Sequence, residues 1–117
     1  METVQLIECP RDALQGLAHP VPTALKIDYM NALLQVGFPV LDFGSFVSPR
    51  AVPQMADTPQ VLAGLRRAGS ATRLLAIVAN RRGAGEAAAH AGVDILGFPF
   101  SSSESFQQRD IRQGFTE

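Results

Sequence analysis

Leu74-Leu75-Ala76-Ile77-Val78-Ala79 is a continuous apolar run that stops at Asn80. A strand with one wet face alternates apolar and polar residues, whereas a strand covered on both faces is apolar throughout, as in a parallel sheet. Working outward, the segment Arg81-Arg82-Gly83-Ala84-Gly85-Glu86 leads into an alanine-rich helix, Ala87 to Ala91, closed by Gly92, and Val93 to Phe98 reads as the next strand. On the other side, Val61, Leu62 and Leu65 mark an amphipathic helix, with Arg66 and Arg67 as solvated charges in its last turn. The loop from Gly44 to Pro53 before it is rich in turn formers, and Val40 and Leu41 begin a strand with Asp42 near its end. Further back, Pro22-Thr23 opens a helix with Thr23 as N-cap, and Leu25, Tyr29, Met30, Leu33 and Leu34 recur at helical spacing until Gly37. Val4 to Ile7, interrupted by Gln5, reads as a short buried strand stopped by Pro10, since proline cannot donate to a ladder.

Strand and helix thus alternate four times at spacings of about 30 residues, which implies a parallel sheet with right-handed crossovers. The pattern alone leaves open whether the sheet closes. A complete eight-stranded barrel needs about 250 residues, so 117 residues supply about half of one. Gly83-x-Gly85 follows a strand and opens a helix, as a phosphate-binding loop does, but a third glycine and any Gly-Lys-Ser/Thr are missing. Ser101 and Glu104 are spaced as a capping box for a further helix.

Composition narrows the function classes. With 46% hydrophobic and 18% charged residues the chain can bury a core, and at 117 residues it is one domain at most. A net charge of -1 gives no electrostatic case for nucleic acid or an anionic membrane. A single cysteine, Cys9, excludes an internal disulfide framework and reads as a small buried apolar residue. No segment approaches the ~18 apolar residues of a membrane span, and the start Met-Glu-Thr-Val-Gln lacks the basic and apolar regions of a signal peptide. The expectation is a soluble, cytoplasmic protein.

Arg11 and Asp12 stand at the tip of the first strand. In α/β proteins ligands collect at the C-terminal ends of the strands, so a fixed cation beside a carboxylate there is a candidate site; the plain alternative is a surface ion pair. A second strand end carries the polar stretch Gly44 to Pro53.

Pro10-Arg11-Asp12-x-Leu14-Gln15 and Ser45-Phe46-Val47-Ser48-Pro49-Arg50-x-Val52-Pro53-Gln54-Met55-x-Asp57 together closely resemble the opening of the 3-hydroxy-3-methylglutaryl-CoA (HMG-CoA) lyases, within the DRE-TIM metallolyase group. The resemblance fades after about Arg109. It implies that residues 1–117 are a partial TIM-barrel domain of the pyruvate carboxyltransferase/HMG-CoA lyase-like kind: an α/β, N-terminal portion of a (β/α)8 barrel of about four parallel βα units. It also implies a carbon-carbon lyase that cleaves HMG-CoA to acetyl-CoA and acetoacetate by a metal-assisted retro-Claisen step.

By that resemblance Asp12 is a ligand to Mg²⁺ or Mn²⁺, hard cations that favour oxygen donors. Arg11 neutralises charge developing on the thioester oxygen, and Gln15 hydrogen-bonds near the metal and substrate. Asp42 takes the place of the family's usual glutamate, one methylene shorter, in a polar catalytic role. Ser45, Phe46 and Ser48 line the mouth of the pocket, and Asn80 is a further substrate-side candidate. Ala13 stands where the family usually has glycine, and Glu8 is offset by one position from the family's glutamate. The family's His-x-His ligands have no counterpart here, since His19 and His90 are isolated and read as solvated or capping residues. The isolated chain is therefore expected to lack a complete active site and to associate, as a homo-oligomer or with the missing C-terminal barrel half. Two alternatives stand beside this reading: a related Claisen-type acyltransferase of the same group, and a non-catalytic, flavodoxin-like binding module.

Overall fold

The computed structural model describes residues 2–100; the serine run 101–103 and Glu104 with its capping box lie outside the described residues. Strand β1 is Ile7–Glu8, helix α1 Pro10–Gln15 and helix α2 Thr23–Val36. Strand β2 is Val40–Ser45, followed by a single 3₁₀ turn at Pro53–Met55 and helix α3, Thr58–Ala63. Strand β3 is Arg73–Ile77, helix α4 Arg81–Ala88 and strand β4 Ile95–Gly97.

All pairings are parallel, in the order β1-β2-β3-β4. A sheet whose strands follow chain order has no switch point. Every right-handed crossover therefore lays its helices on the same face, as in a barrel and unlike the doubly wound, flavodoxin-like alternative. That face carries the core: Leu41, Phe43, Leu74, Ala76 and Val78 pack with Leu14, Met30, Leu34, Val61 and Ala87 from the helices.

The opposite face bears Leu75, Ile77, Ile95 and Gly97, all partly exposed. Register puts Asp42 beside Leu75 and Ser45 beside Ile77 on it, because the ladder slips by one residue between Asp42 and Gly44. Without that bulge the two side chains, an odd number of positions apart, would point to opposite faces; the extra residue, Phe43, brings them to the same one.

Several expectations are revised by position in the sheet. The first strand is short and exposed, Val4, Leu6 and Ile7 being 91%, 66% and 50% exposed, because β1 is an edge with a neighbour on one side only among the described residues. Cys9 is likewise exposed. On α2 the buried residues are Lys26, Met30, Asn31 and Leu34, while Leu25 and Tyr29 face outward. The helix ends as anticipated at Gly37, whose φ of 89° is the left-handed conformation that favours glycine. Pro22, not Thr23, caps its start, and the Thr23 hydroxyl donates to Asp57 instead (2.6 Å). Helix α3 stops at Ala63, so Arg67 lies beyond it and pairs with Asp94 (2.5 Å) rather than standing free in solvent.

The segment 81–86 is itself the helix. Asn80 caps it by accepting from the Gly83 N–H (2.9 Å), and a Cβ at Gly83 would lie 2.4 Å from the Phe46 carbonyl oxygen. Glycine is there so that α4 can settle against β2's outgoing chain, which accounts for it without a phosphate.

Candidate active site at the strand ends

Parallel strands finish at one rim, and the segments leaving β1, β2 and β3 carry Arg11, Ser45 to Ser48, and Asn80 to it. The Arg11-Asp12 pair, read from the sequence as standing at the tip of the first strand, is wound into α1, which proline starts well at its first position. Its N-cap Cys9 makes no side-chain cap hydrogen bond. One turn of helix turns Arg11 inward and leaves Asp12 outward.

Arg11 reaches across to β2. Its Nε donates to both Asp42 oxygens (3.2 and 3.1 Å) and its Nη2 to Oδ2 (2.8 Å), while Nη1 donates to Gln15 Oε1 one helical turn along (3.1 Å). The Arg11 side chain is 16% exposed and that of Asp42 3%. Burial pushes the Asp42 carboxyl above its ordinary range by more than the guanidinium lowers it. The Arg11 guanidinium is itself held above its ordinary value by that hydrogen bond and charge, which outweigh its own burial. Beside them, partial desolvation and the charge of Asp42 push the Cys9 thiol up, so it is no thiolate nucleophile at neutral pH.

Asp12 differs in every respect. Its side chain is 78% exposed, and its nearest ionic partner is Arg11 Nη1 at 3.6 Å. It is an exposed, hard oxygen donor in a loose ion pair with Arg11, the kind of donor Mg²⁺ or Mn²⁺ takes. Among the described residues no group of three or more His, Cys, Asp or Glu converges to hold a metal, so Asp12 fits one position of such a site and the described residues do not complete it.

Ser45 Oγ is fully buried and has no hydrogen-bond partner among the described residues. An orphaned hydroxyl at a strand end is costly unless a ligand or water serves it. Phe46, Ser48 and Asn80 come together around a small hollow of about 140 Å³ between the segments leaving β2 and β3. Within it Phe46 is a core residue, 6% exposed, whose ring tilts against that of His90 at 5.3 Å. Asn80 spends its carbonyl oxygen on the helix cap. The candidates therefore fall into an ionic cluster, Arg11, Gln15 and Asp42 with Asp12 beside it, and a neighbouring hollow lined by Phe46, Ser48 and Asn80.

No family model matches the chain. Among curated proteins, the cytoplasmic HMG-CoA lyase of Rattus norvegicus is 38% identical over 117 residues, covering 99% of this chain and 34% of the relative. A 3-hydroxy-3-isohexenylglutaryl-CoA/hydroxymethylglutaryl-CoA lyase of Pseudomonas aeruginosa is 40% identical over 109 residues, 92% of this chain and 36% of its own. The chain matches an N-terminal region of the HMG-CoA lyases. Their solved structures agree with it in fold as well. That of the HMG-CoA lyase from Acinetobacter baumannii, in complex with coenzyme A and 3-methylmalate, superposes with a TM-score of 0.88 at 32% identity, over 97% of this chain and 37% of that one. The Brucella melitensis HMG-CoA lyase gives 0.84 at 38% identity, over 97% and 41%. The chain thus spans about a third of the length of the lyases it matches, and its four parallel strands, with the helices that follow the first three, superpose on part of their fold.

Residues that sequence reasoning passed over are Lys26, Gln54 and Asp57, which join the segments behind the rim. Pro53-Gln54-Met55-x-Asp57 belonged to the recognised motif, and a lysine on the apolar side of α2 was the remaining signal.

Proposed function

We propose that this chain contributes the Arg11-Asp12 side of an HMG-CoA lyase active site, for metal-assisted retro-Claisen cleavage of HMG-CoA to acetyl-CoA and acetoacetate. The observation that supports this best is the Arg11–Asp42 pair held at the strand-end rim with Asp12 exposed beside it, in a chain 38% identical to a lyase along 99% of its length. Residues 1–117 are then part of a TIM-barrel domain of the pyruvate carboxyltransferase/HMG-CoA lyase-like kind.

Asp42 and Gln15 fix the guanidinium of Arg11 in one orientation before substrate arrives, so its remaining N–H donors can meet the oxygen of a departing thioester enolate without reorganising. Asp42, partly neutralised by Arg11, supports that cation and offers a carboxylate near the reacting hydroxyl. The unpartnered Ser45 hydroxyl would be satisfied by a polar group of the acyl chain, with Ser48, Phe46 and Asn80 shaping the neighbouring wall. Asp12 would hold Mg²⁺ or Mn²⁺, which when bound acidifies the substrate hydroxyl. With one such donor among the described residues, the chain by itself is inactive or nearly so.

The exposed Val4, Leu6 and Ile7 at one sheet edge and Leu96 and Phe98 at the other support completion by further barrel strands, from the portion that the lyases have beyond this match or from a second copy. Among the described residues no helix is long and apolar enough to cross a membrane, and with relatives both cytoplasmic and mitochondrial we place the chain in the cytoplasm.

The test is a chimera in which this chain replaces the matching third of the Pseudomonas aeruginosa lyase. Cleavage of HMG-CoA to acetoacetate should be retained and should fall at least about 100-fold with Arg11→Ala or Asp12→Asn. A folded chimera that binds Mn²⁺ yet cleaves nothing refutes the reading; one that instead condenses acetyl-CoA with a 2-oxo acid points to the acyltransferase branch.

A further inference from the structure

Helix α1 is six residues long, lacks a side-chain N-cap bond and follows a two-residue edge strand. A helix that short is marginal alone, and an edge strand of two residues restrains it little. Pro10 and Leu14 bury one side of the helix against β2, and the chain leaving it needs an anchor of its own if Arg11 is to stay on Asp42.

Helix α1 packs on the 3₁₀ turn Pro53–Met55. From that turn the Gln54 side chain reaches the chain leaving α1: its Oε1 accepts from the Val21 N–H (2.9 Å) and its Nε2 donates to the His19 carbonyl (3.0 Å). The turn is in turn anchored to α2. Lys26 Nζ donates to the Gln54 main-chain carbonyl and to Asp57 Oδ1 (2.8 Å), and Thr23 Oγ1 donates to Asp57 Oδ2 (2.6 Å). Lys26 is 4% exposed and Gln54 9%, so the bond between Lys26 and the Gln54 carbonyl is shielded from competing water, while those to Asp57 and to residues 19 and 21 are partly buried. Among the described residues none of Lys26, Gln54 and Asp57 hydrogen-bonds to Arg11, Asp12, Asp42 or Ser45.

We propose that Lys26, Gln54 and Asp57 are positioning residues, a clamp that sets α1 against β2 and so holds the Arg11 guanidinium on Asp42. Gln54 is the joint, because its side chain holds the segment after α1 while its main chain is held by Lys26. A buried lysine bonded to one carboxylate and one carbonyl fits this better than a catalytic role, since the hollow of about 270 Å³ beside it is lined by Thr23, Pro53, Gln54 and Asp57 and by none of Arg11, Asp12, Asp42 and Ser45. The clamp stands whichever reaction the rim performs, and the test reads geometry rather than turnover.

The 117-residue chain, ¹⁵N-labelled, is compared with Gln54→Ala and Gln54→Glu by hydrogen exchange and by the Arg11 Nε–H resonance, which Asp42 holds. In Gln54→Ala, the amides of Leu17, Ala18, His19 and Val21 and the Arg11 Nε–H should exchange about tenfold faster, while Leu41, Leu74 and Ala76 keep their protection. Gln54→Glu retains the acceptor for Val21 and loses the donor to His19, so it should fall between the two. Faster exchange at those amides with Arg11 unchanged would confine Gln54 to its own loop and overturn the clamp. Equal acceleration at Leu41, Leu74 and Ala76 would make it a general stability effect and overturn it too.

Discussion

Strands β1 and β2 each deliver one partner of the same ion pair, from opposite mechanical circumstances. β2 has six residues, all buried, with ladders on both sides and helices over one face. β1 has two residues, the first half exposed. Asp42 is therefore placed by the sheet, and Arg11 by a short helix that leans on a turn and its side-chain clamp. A site can be rigid on one wall and conditional on the other, and the conditional wall is where a missing neighbour would be felt.

The largest effect should follow from cutting into the rigid side. Leu41→Ala removes a fully buried side chain and should cost about 3 kcal/mol in urea unfolding, whereas Ile7→Ala should cost less than about 1 kcal/mol. Equal costs would erase the contrast between the strands. Asp42→Ala leaves the largely buried guanidinium without its main acceptor and should cost about 2 kcal/mol, with the loss of the Arg11 Nε–H resonance marking the released side chain. Asp42→Asn keeps one acceptor oxygen and should be milder. Next comes Asn80→Ala, which deprives α4 of its N-cap and should cost about 1 kcal/mol, read by the same titration.

The smallest effect is on pH dependence. Because burial raises the Asp42 carboxyl above its ordinary 3.8, the folded chain holds that proton more tightly than the unfolded chain does. This contribution to stability is present in full below pH 3.8 and is lost as pH rises through the folded-state value. Arg11, held above its already high ordinary value by Asp42, titrates only in strong alkali. The difference in stability between the wild type and Asp42→Asn should therefore shift across mildly acidic pH, and a difference constant from pH 3 to 7 would mean that Arg11 offsets the burial completely.

Much of this was legible in the chain. Leu74–Ala79 announced a parallel strand, although among the described residues only its helix-covered face is buried and Leu75 and Ile77 on the other are partly exposed; Gly37 announced the end of α2 because the left-handed conformation there suits glycine. Arg11, Asp12 and Gln15 could be placed on one strand end by the motif they share with the lyases. What misled was local reasoning about residues whose surroundings are set far away in sequence. Leu25 and Tyr29 fit one helical stripe with Met30 and Leu34, yet only the latter two pack fully, together with the polar Lys26 and Asn31, whose partners Asp57 and Gly64 lie some 30 residues on. Arg67 looked solvated until Asp94, 27 residues on, came to meet it.

Alternation of strand and helix, the apolar runs and the rim motif follow from sequence alone, because each depends on the periodicity and chemistry of neighbouring residues. Tertiary structure decided that Phe43 is an extra residue in β2, so that Asp42 and Ser45 share a face. It also decided that Arg11 is held while Asp12 stays exposed, and that Lys26 and Gln54 brace the helix between them. These outcomes rest on register and on partners some 30 residues apart, and the free energy of such contacts exists only once the chain has folded.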